Sequence, residues 1–372
     1  MERKGERAEG RGLKGPCFIA AILLSGTAVA QQQPDRFAQW LTAIEAHETG
    51  NPGKVAIEVA TWSGVELDAV IAEAKRHVRS FDKARLNDAN DLLLKGAALH
   101  ADIARLIPDD VERRSARQNR IIVVRDGRLL GSRFISIHWE VGRTLLDAIA
   151  PEPSANLGVL LWYQQTSTDL LRIGSLAEAA VHLPRGRRYF PSDPVLLFTS
   201  GVLHERFSST SLQAAAASFV ASNRGETTLG SERAELARAE RFFRETVAIQ
   251  PDHLEARVRH GHVLGALGRH EQAADALRTA IKDGASGELL YLAELFLGSQ
   301  EMALDHNTQA RARFEHAASL YPRAQSPRLA LSQLSRRAGD RAGAQRELRV
   351  IAALPSDERQ REDPWWSYYD VR

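Results

Sequence analysis

The sequence predicts an all-α protein, a solenoid of stacked antiparallel helix pairs, and three observations predict it. In the C-terminal half an Ala is followed four residues later by an aromatic residue or Leu, then by a small residue three further on. The motif begins at Ala239, Ala273, Ala310 and Ala344, spacings of 34, 37 and 34 residues. A Pro follows at Pro251 and Pro322, and turn glycines precede the units in Leu267-Gly268-Arg269 and Ala338-Gly339-Asp340. The chain has 372 residues, 44% of them hydrophobic and 26% charged, a balance that supports a sizeable core. A fixed period of this length marks a repeat architecture, in which one helix pair cannot bury its apolar face alone and stacking supplies the core.

Residues 1–30 read as a cleavable secretory signal. Arg3, Lys4, Arg7, Arg11 and Lys14 precede the apolar run 17–30, which ends in Ala28-Val29-Ala30 before Gln31. That run has 14 residues, short of the roughly 20 a membrane span needs. The expectation is a periplasmic or secreted protein without a stable transmembrane segment after cleavage. Cys17, the single cysteine, leaves with the signal. Removing five basic and three acidic residues from the chain's 49 and 47 leaves 44 of each, so a neutral mature chain is not expected to bind nucleic acid.

Residues 31–153 form a divergent helical region, with apolar periodicity at Phe37, Trp40, Leu41 and Ile44, at Val65, Leu67, Val70 and Ile71, and from Leu92 to Ile107. Within it, β-branched and apolar residues flank Asp126-Gly127, which predicts a short β-hairpin or an extended loop near residues 120–137. A helix follows from His138 and stops at Pro151 and Pro153.

Residues 154–355 are the solenoid. Leu157 to Arg172 begins it, and Ala179, Leu183, Gly186 and Pro191 mark a degenerate second helix. Asp193 to Glu205 reads as the next first helix, and its partner starts only near Ser231, after an inserted loop at about 207–230. Residues 356–372 are a charged linker and an aromatic tail, Pro364-Trp-Trp-Ser-Tyr-Tyr369.

The phased units resemble the tetratricopeptide repeat family. The cleanest is Leu254 to Gly284, where Gly261, Gly268, Ala273, Leu277 and Ala280 stand at motif positions. It departs at Arg257 and Leu264, where the family carries bulky aromatics, and the 37-residue unit holds a three-residue insertion. The resemblance implies a right-handed solenoid and a non-catalytic protein–protein interaction scaffold of the cell envelope, whose first helices line a concave groove. Groove-facing positions would be Val195, Phe198 and Val202; Glu255, Val258 and His262; Leu292, Leu295 and Ser299; Ser326, Leu329 and Gln333. They lack the Lys/Asn/Arg set with which some members clamp a carboxylate terminus, so an extended or helical apolar segment of a protein partner fits better. No cofactor is expected.

Two other functions stay open. Arg113, Arg114, Arg117 and Arg120 belong to a run that suits an anionic lipid or glycan, as for an envelope assembly or carrier factor. An enzyme site in the N-terminal half is the other, although the common nucleophile, metalloprotease, phosphate-loop and dinucleotide motifs are missing from the sequence. His253, His260, His262 and His270 lack the i, i+4 spacing of a helical metal pair and read as solvated helix surface. His138-Trp139-Glu140 reads as packing around an indole. For Trp365, Trp366, Tyr368 and Tyr369 two readings compete: a cap over the last repeat, or a docking peptide for a partner.

Overall fold

The computed structural model describes residues 157–172, 174–209, 230–356 and 362–369, with short stretches and single positions between 90 and 146. Among the described residues from Leu157 to Ala352 there are ten α-helices in succession. They are α1 (Leu157–Arg172), α2 (Leu176–Tyr189), α3 (Pro194–Phe207), α4 (Glu232–Ile249), α5 (Leu254–Ala266), α6 (His270–Lys282), α7 (Gly287–Ala303), α8 (Asn307–Leu320), α9 (Ser326–Arg337) and α10 (Arg341–Ala352). Upstream, β1 (Ile122–Val124) and β2 (Arg128–Leu130) pair antiparallel, with Ile122 opposite Leu130 and Val124 opposite Arg128. The signal segment 1–30, the periodic segments from Phe37 to Ile71, the Arg113–Arg120 run and, of the loop expected at about 207–230, residues 210–229 lie outside the described residues, while Phe207 ends α3.

Each helix packs on the next, and α1 also meets α3, α5 meets α7, and α7 meets α9. Contact between alternate helices stacks the first members of successive pairs side by side, so the architecture is an all-α solenoid. Described residues upstream also meet α1: the Asn90 side chain accepts from the Gly158 N–H at 2.9 Å, and Gln165 donates to the Ala97 carbonyl at 2.9 Å.

Local chemistry sets the helix starts. The Asp193 carboxylate accepts from the Leu196 N–H at 2.9 Å, with Pro194 in the first turn of α3, where its missing N–H is harmless. Ser231 caps α4, and Asp340 caps α10 by accepting from the Gly343 N–H at 2.7 Å. Gly268 and Gly339 take positive φ at the turns between paired helices. Asp305 holds the corresponding place with φ 60°, a conformation that costs a residue bearing a Cβ.

The repeat motif has a packing meaning. A Cβ on Gly201 would stand 2.5 Å from the Phe243 ring, one on Gly261 2.6 Å from Leu277, and one on Gly298 2.6 Å from Phe314. Each glycine lets the bulky residue of the second helix press against first-helix backbone. Ser332 holds the same place in the fourth unit, and its hydroxyl donates to the Ala344 carbonyl at 3.2 Å. Ala273, Ala310, Leu277 and Phe314 are fully buried around these crossings.

Candidate functional site

The first helices α3, α5, α7 and α9 contribute one shared face, and the chain's own C-terminal tail is docked against it. Pro364–Ser367 forms a single 3-10 turn that packs on α7. Asp363 starts the turn by accepting from the Trp365 N–H at 3.1 Å. Tyr368, at 2% exposure, belongs to the same apolar cluster as Val258, Leu292, Leu295 and Phe296.

The polar centre of this face is Glu205 on α3, which is fully buried. Arg259 of α5 reaches it from Nη1 at 2.9 Å, and His262 Nδ1 lies 2.9 Å from its other oxygen. The Tyr368 hydroxyl donates to Glu205 and sits 3.1 Å from His262 Nδ1. Burial opposes ionisation of Glu205, but the Arg259 guanidinium, His262 and the Tyr368 hydroxyl outweigh it and hold the carboxyl below its ordinary range. Burial next to the Glu205 charge pushes the Tyr368 phenol well up, so it remains a donor.

Arg259 does more than balance charge. Its Nη2 donates to the Tyr368 carbonyl at 3.0 Å, its Nε to Glu255 at 2.9 Å, and its guanidinium lies 4.6 Å from the Tyr368 ring centroid. Arg206 donates to the Tyr369 carbonyl, and from Nη1 to the Leu171 carbonyl at 2.5 Å. Main-chain carbonyls of the tail are thus read by two arginines. Aromatic contacts complete the seat: Trp365 stacks on Tyr368 with centroids 5.5 Å apart, and Phe296 meets both edge-on at 5.6 and 5.1 Å.

A second polar anchor lies at the other end of the tail. Tyr291 of α7 donates its hydroxyl to Asp363 at 2.7 Å, and Ser326 donates its backbone N–H at 2.9 Å and its hydroxyl at 2.7 Å. Ser326 opens α9, so the carboxylate meets a helix N-terminus as well as two hydroxyls. Burial, followed by the Asp363 charge, drives the Tyr291 phenol far above its usual range.

The structure brings together several of the groove positions expected from the sequence and leaves others apart. Glu255, Val258, His262 and Leu292 stand around Tyr368 and Arg259, and Leu295 lies in the same cluster. Phe198 packs instead on Phe243 and the His253 ring at 5.9 and 4.6 Å, and Val202 is buried in the core. Ser299 donates to the carbonyl of Leu295 at 3.0 Å. Leu329, at 46% exposure, and Gln333 face solvent. In the tail, Trp365, Tyr368 and Tyr369 are seated while Trp366 is 38% exposed. The seat lies between first helices rather than over the last repeat.

Sequence reasoning missed Tyr291 and Asp363, which meet across 72 residues with no motif to link them, and it missed Glu205, Arg206 and Arg259, because charged residues on a helix read as solvated by default. The histidines need a correction for the same reason. His253 caps α5 by accepting from the Ala256 N–H at 3.2 Å, and His270 Nδ1 lies 2.9 Å from Gln300. His260 and His262 each meet a buried glutamate, so neither is plain surface. Among the described residues, five buried glutamates each hold one His and at least one Arg: Glu205, Glu235, Glu240, Glu294 and Glu301. No group of three potential metal ligands occurs among the described residues, and no helix there is long and apolar enough to cross a membrane.

No protein-family model matches this chain, and no curated relative does. Among solved structures the chain is similar to MamA from Desulfovibrio magneticus RS-1, at 20% identity over 55% of this chain and 97% of that one, with a TM-score of 0.41. It is also similar to pilF of Pseudomonas aeruginosa, at 18% identity over 54% and 78%, TM-score 0.40. PilW, described as a type IV pilus biogenesis factor, gives 16% identity over 54% and 78%, TM-score 0.41. At such identities and scores the likeness fixes neither family nor function.

Proposed function

We propose that this chain is a non-catalytic protein–protein interaction scaffold of the cell envelope, and that the face formed by its first helices holds an extended segment of a protein partner. One observation carries the reading: that face already holds a peptide segment, the chain's own tail, through main-chain carbonyls on Arg206 and Arg259 and aromatic rings in an apolar seat. Contacts to main-chain carbonyls suit a peptide of any sequence, and buried aromatic anchors supply most of the energy in interfaces of this kind. The envelope location rests on the signal-like segment 1–30.

The scaffold reading is tested by titrating envelope-derived peptide segments against the full chain and a Leu295→Arg variant, with the tail in place and removed. Specific binding that Leu295→Arg abolishes while circular dichroism shows the helices retained is the expected result; some loss of melting temperature accompanies a charge placed in this buried position. A groove that takes up no foreign segment in either form would count against it. For the location, N-terminal sequencing of protein recovered from the envelope should begin at Gln31.

A further inference from the structure

We infer that the groove is a two-anchor peptide site reading a carboxylate five residues ahead of a tyrosine, in the form Asp-Pro-Trp-x-x-Tyr, and that the tail is its resident competitor. The inference rests on the scaffold reading and names the chemistry of the partner: an acidic, aromatic segment able to displace residues 363–369.

The first anchor takes the carboxylate. Three donors converge on Asp363 from two helices, the Tyr291 hydroxyl and the N–H and hydroxyl of Ser326. Asp363 is 5% exposed and Tyr291 fully buried, so a segment without an acid here would leave these donors unpaired in a dry place. A lost hydrogen bond to a charged group at such a point weakens binding by about tenfold or more.

The second anchor takes the phenol. Arg259 and His262 each meet Glu205 at 2.9 Å through contacts of their own, separate from the one Tyr368 makes. The carboxylate therefore does not depend on the phenol for its cationic partner, which suits a reversible occupant. The Tyr368 hydroxyl adds a donor to an oxygen of Glu205. A phenylalanine would fill the volume and leave that oxygen with His262 alone.

Between the anchors the tail is a single 3-10 turn, stacked through Trp365 on Phe296 and Tyr368. The pattern is defined by the two anchors and Trp365; Trp366 is 38% exposed. The tail belongs to the same chain, so its effective concentration at the groove is high, and a foreign segment competes with it from the start.

The experiment uses the full chain with residues 357–361 replaced by a protease site, folded and then cut. A fluorescent peptide of residues 362–372 is added, and anisotropy reads its exchange into the groove. The expected result is saturable exchange into the cut chain. Tyr368→Phe and Asp363→Asn peptides should each compete about tenfold more weakly, and the uncut chain should bind about a hundredfold more weakly. A cut chain that unfolds, or that keeps its tail under excess peptide while its circular dichroism is unchanged, makes the tail a fixed part of the core and overturns the proposal. Equal competition by both substituted peptides overturns the two-anchor pattern and leaves the scaffold reading standing. A cut chain that rebinds its own tail with this selectivity and takes up no foreign segment upholds the two anchors while removing the scaffold reading.

Discussion

Glu205 and Arg259 show how much one buried pair decides. Removing one member strands the other charge away from water, so Arg259→Met should cost about 3–5 kcal/mol in a urea titration. The pH dependence should also reverse. In the intact protein the Glu205 carboxyl is held below its ordinary 4.5, so its contribution is complete above that pH and lost as the pH falls through the folded value. Without Arg259 burial acts with less opposition and raises the carboxyl. The variant should then lose stability as pH rises through the raised value, relative to its own stability in acid. His182 offers a second test. Burial, with Arg143 and Arg185 nearby, lowers it to about 4, and it stands edge-on to Trp162. Its folded value lies below the unfolded value, so its contribution is complete above 6.5 and disappears as the pH falls toward 4. A His182→Phe variant should show a flatter stability profile between pH 7 and 4, measured by thermal melting.

At the level of the helix pair, the sequence period carries a definite cost for a single methyl group. Gly298→Ala raises helix propensity by up to about 1 kcal/mol, but its Cβ would collide with the Phe314 ring. Overpacking of this kind costs about 1–3 kcal/mol, so the net change should be destabilising. Pairing it with Phe314→Leu should recover part of the loss in a double-mutant cycle. At the turn between α7 and α8 the prediction has the opposite sign. Asp305→Gly should stabilise by about 1 kcal/mol by relieving positive φ; its ion pair with Arg337 at 3.1 Å is exposed and contributes little.

Helix pairing was legible in the sequence because Ala, Gly and Phe at fixed spacing have one packing consequence. The pairing of β1 with β2 was an equally local signal, carried by the apolar residues on either side of Asp126-Gly127. The seat of the tail was not legible. Arg259 meets the Tyr368 carbonyl across 109 residues and Arg206 meets that of Tyr369 across 163. No periodicity links positions so distant, and a charged side chain on an amphipathic helix looks the same whether it meets water or a folded-back segment. Phe198 and Val202 were misplaced for a related reason: a motif position fixes the helix face but not its burial, and here Phe198 meets Phe243 and the His253 ring while Val202 is fully buried.

For the molecule as a whole, the docked tail joins helices that otherwise meet only their near neighbours. It touches Glu205 and Arg206 on α3, Arg259 and His262 on α5, Tyr291 and Phe296 on α7, and Ser326 on α9. A solenoid held by nearest-neighbour contacts flexes like a spring, since small rotations at each interface add along its length. A segment gripping four successive coils at once works as a brace. With the brace seated, the pitch between α3 and α9 is fixed. With it released, that stretch regains elastic freedom and can open or close to suit a guest. Distance distributions between labels on α3 and α9 should be narrow in the intact chain and broaden when the tail is cut away. Exchange of the tail for a partner would then set the stiffness of the array along with its occupancy.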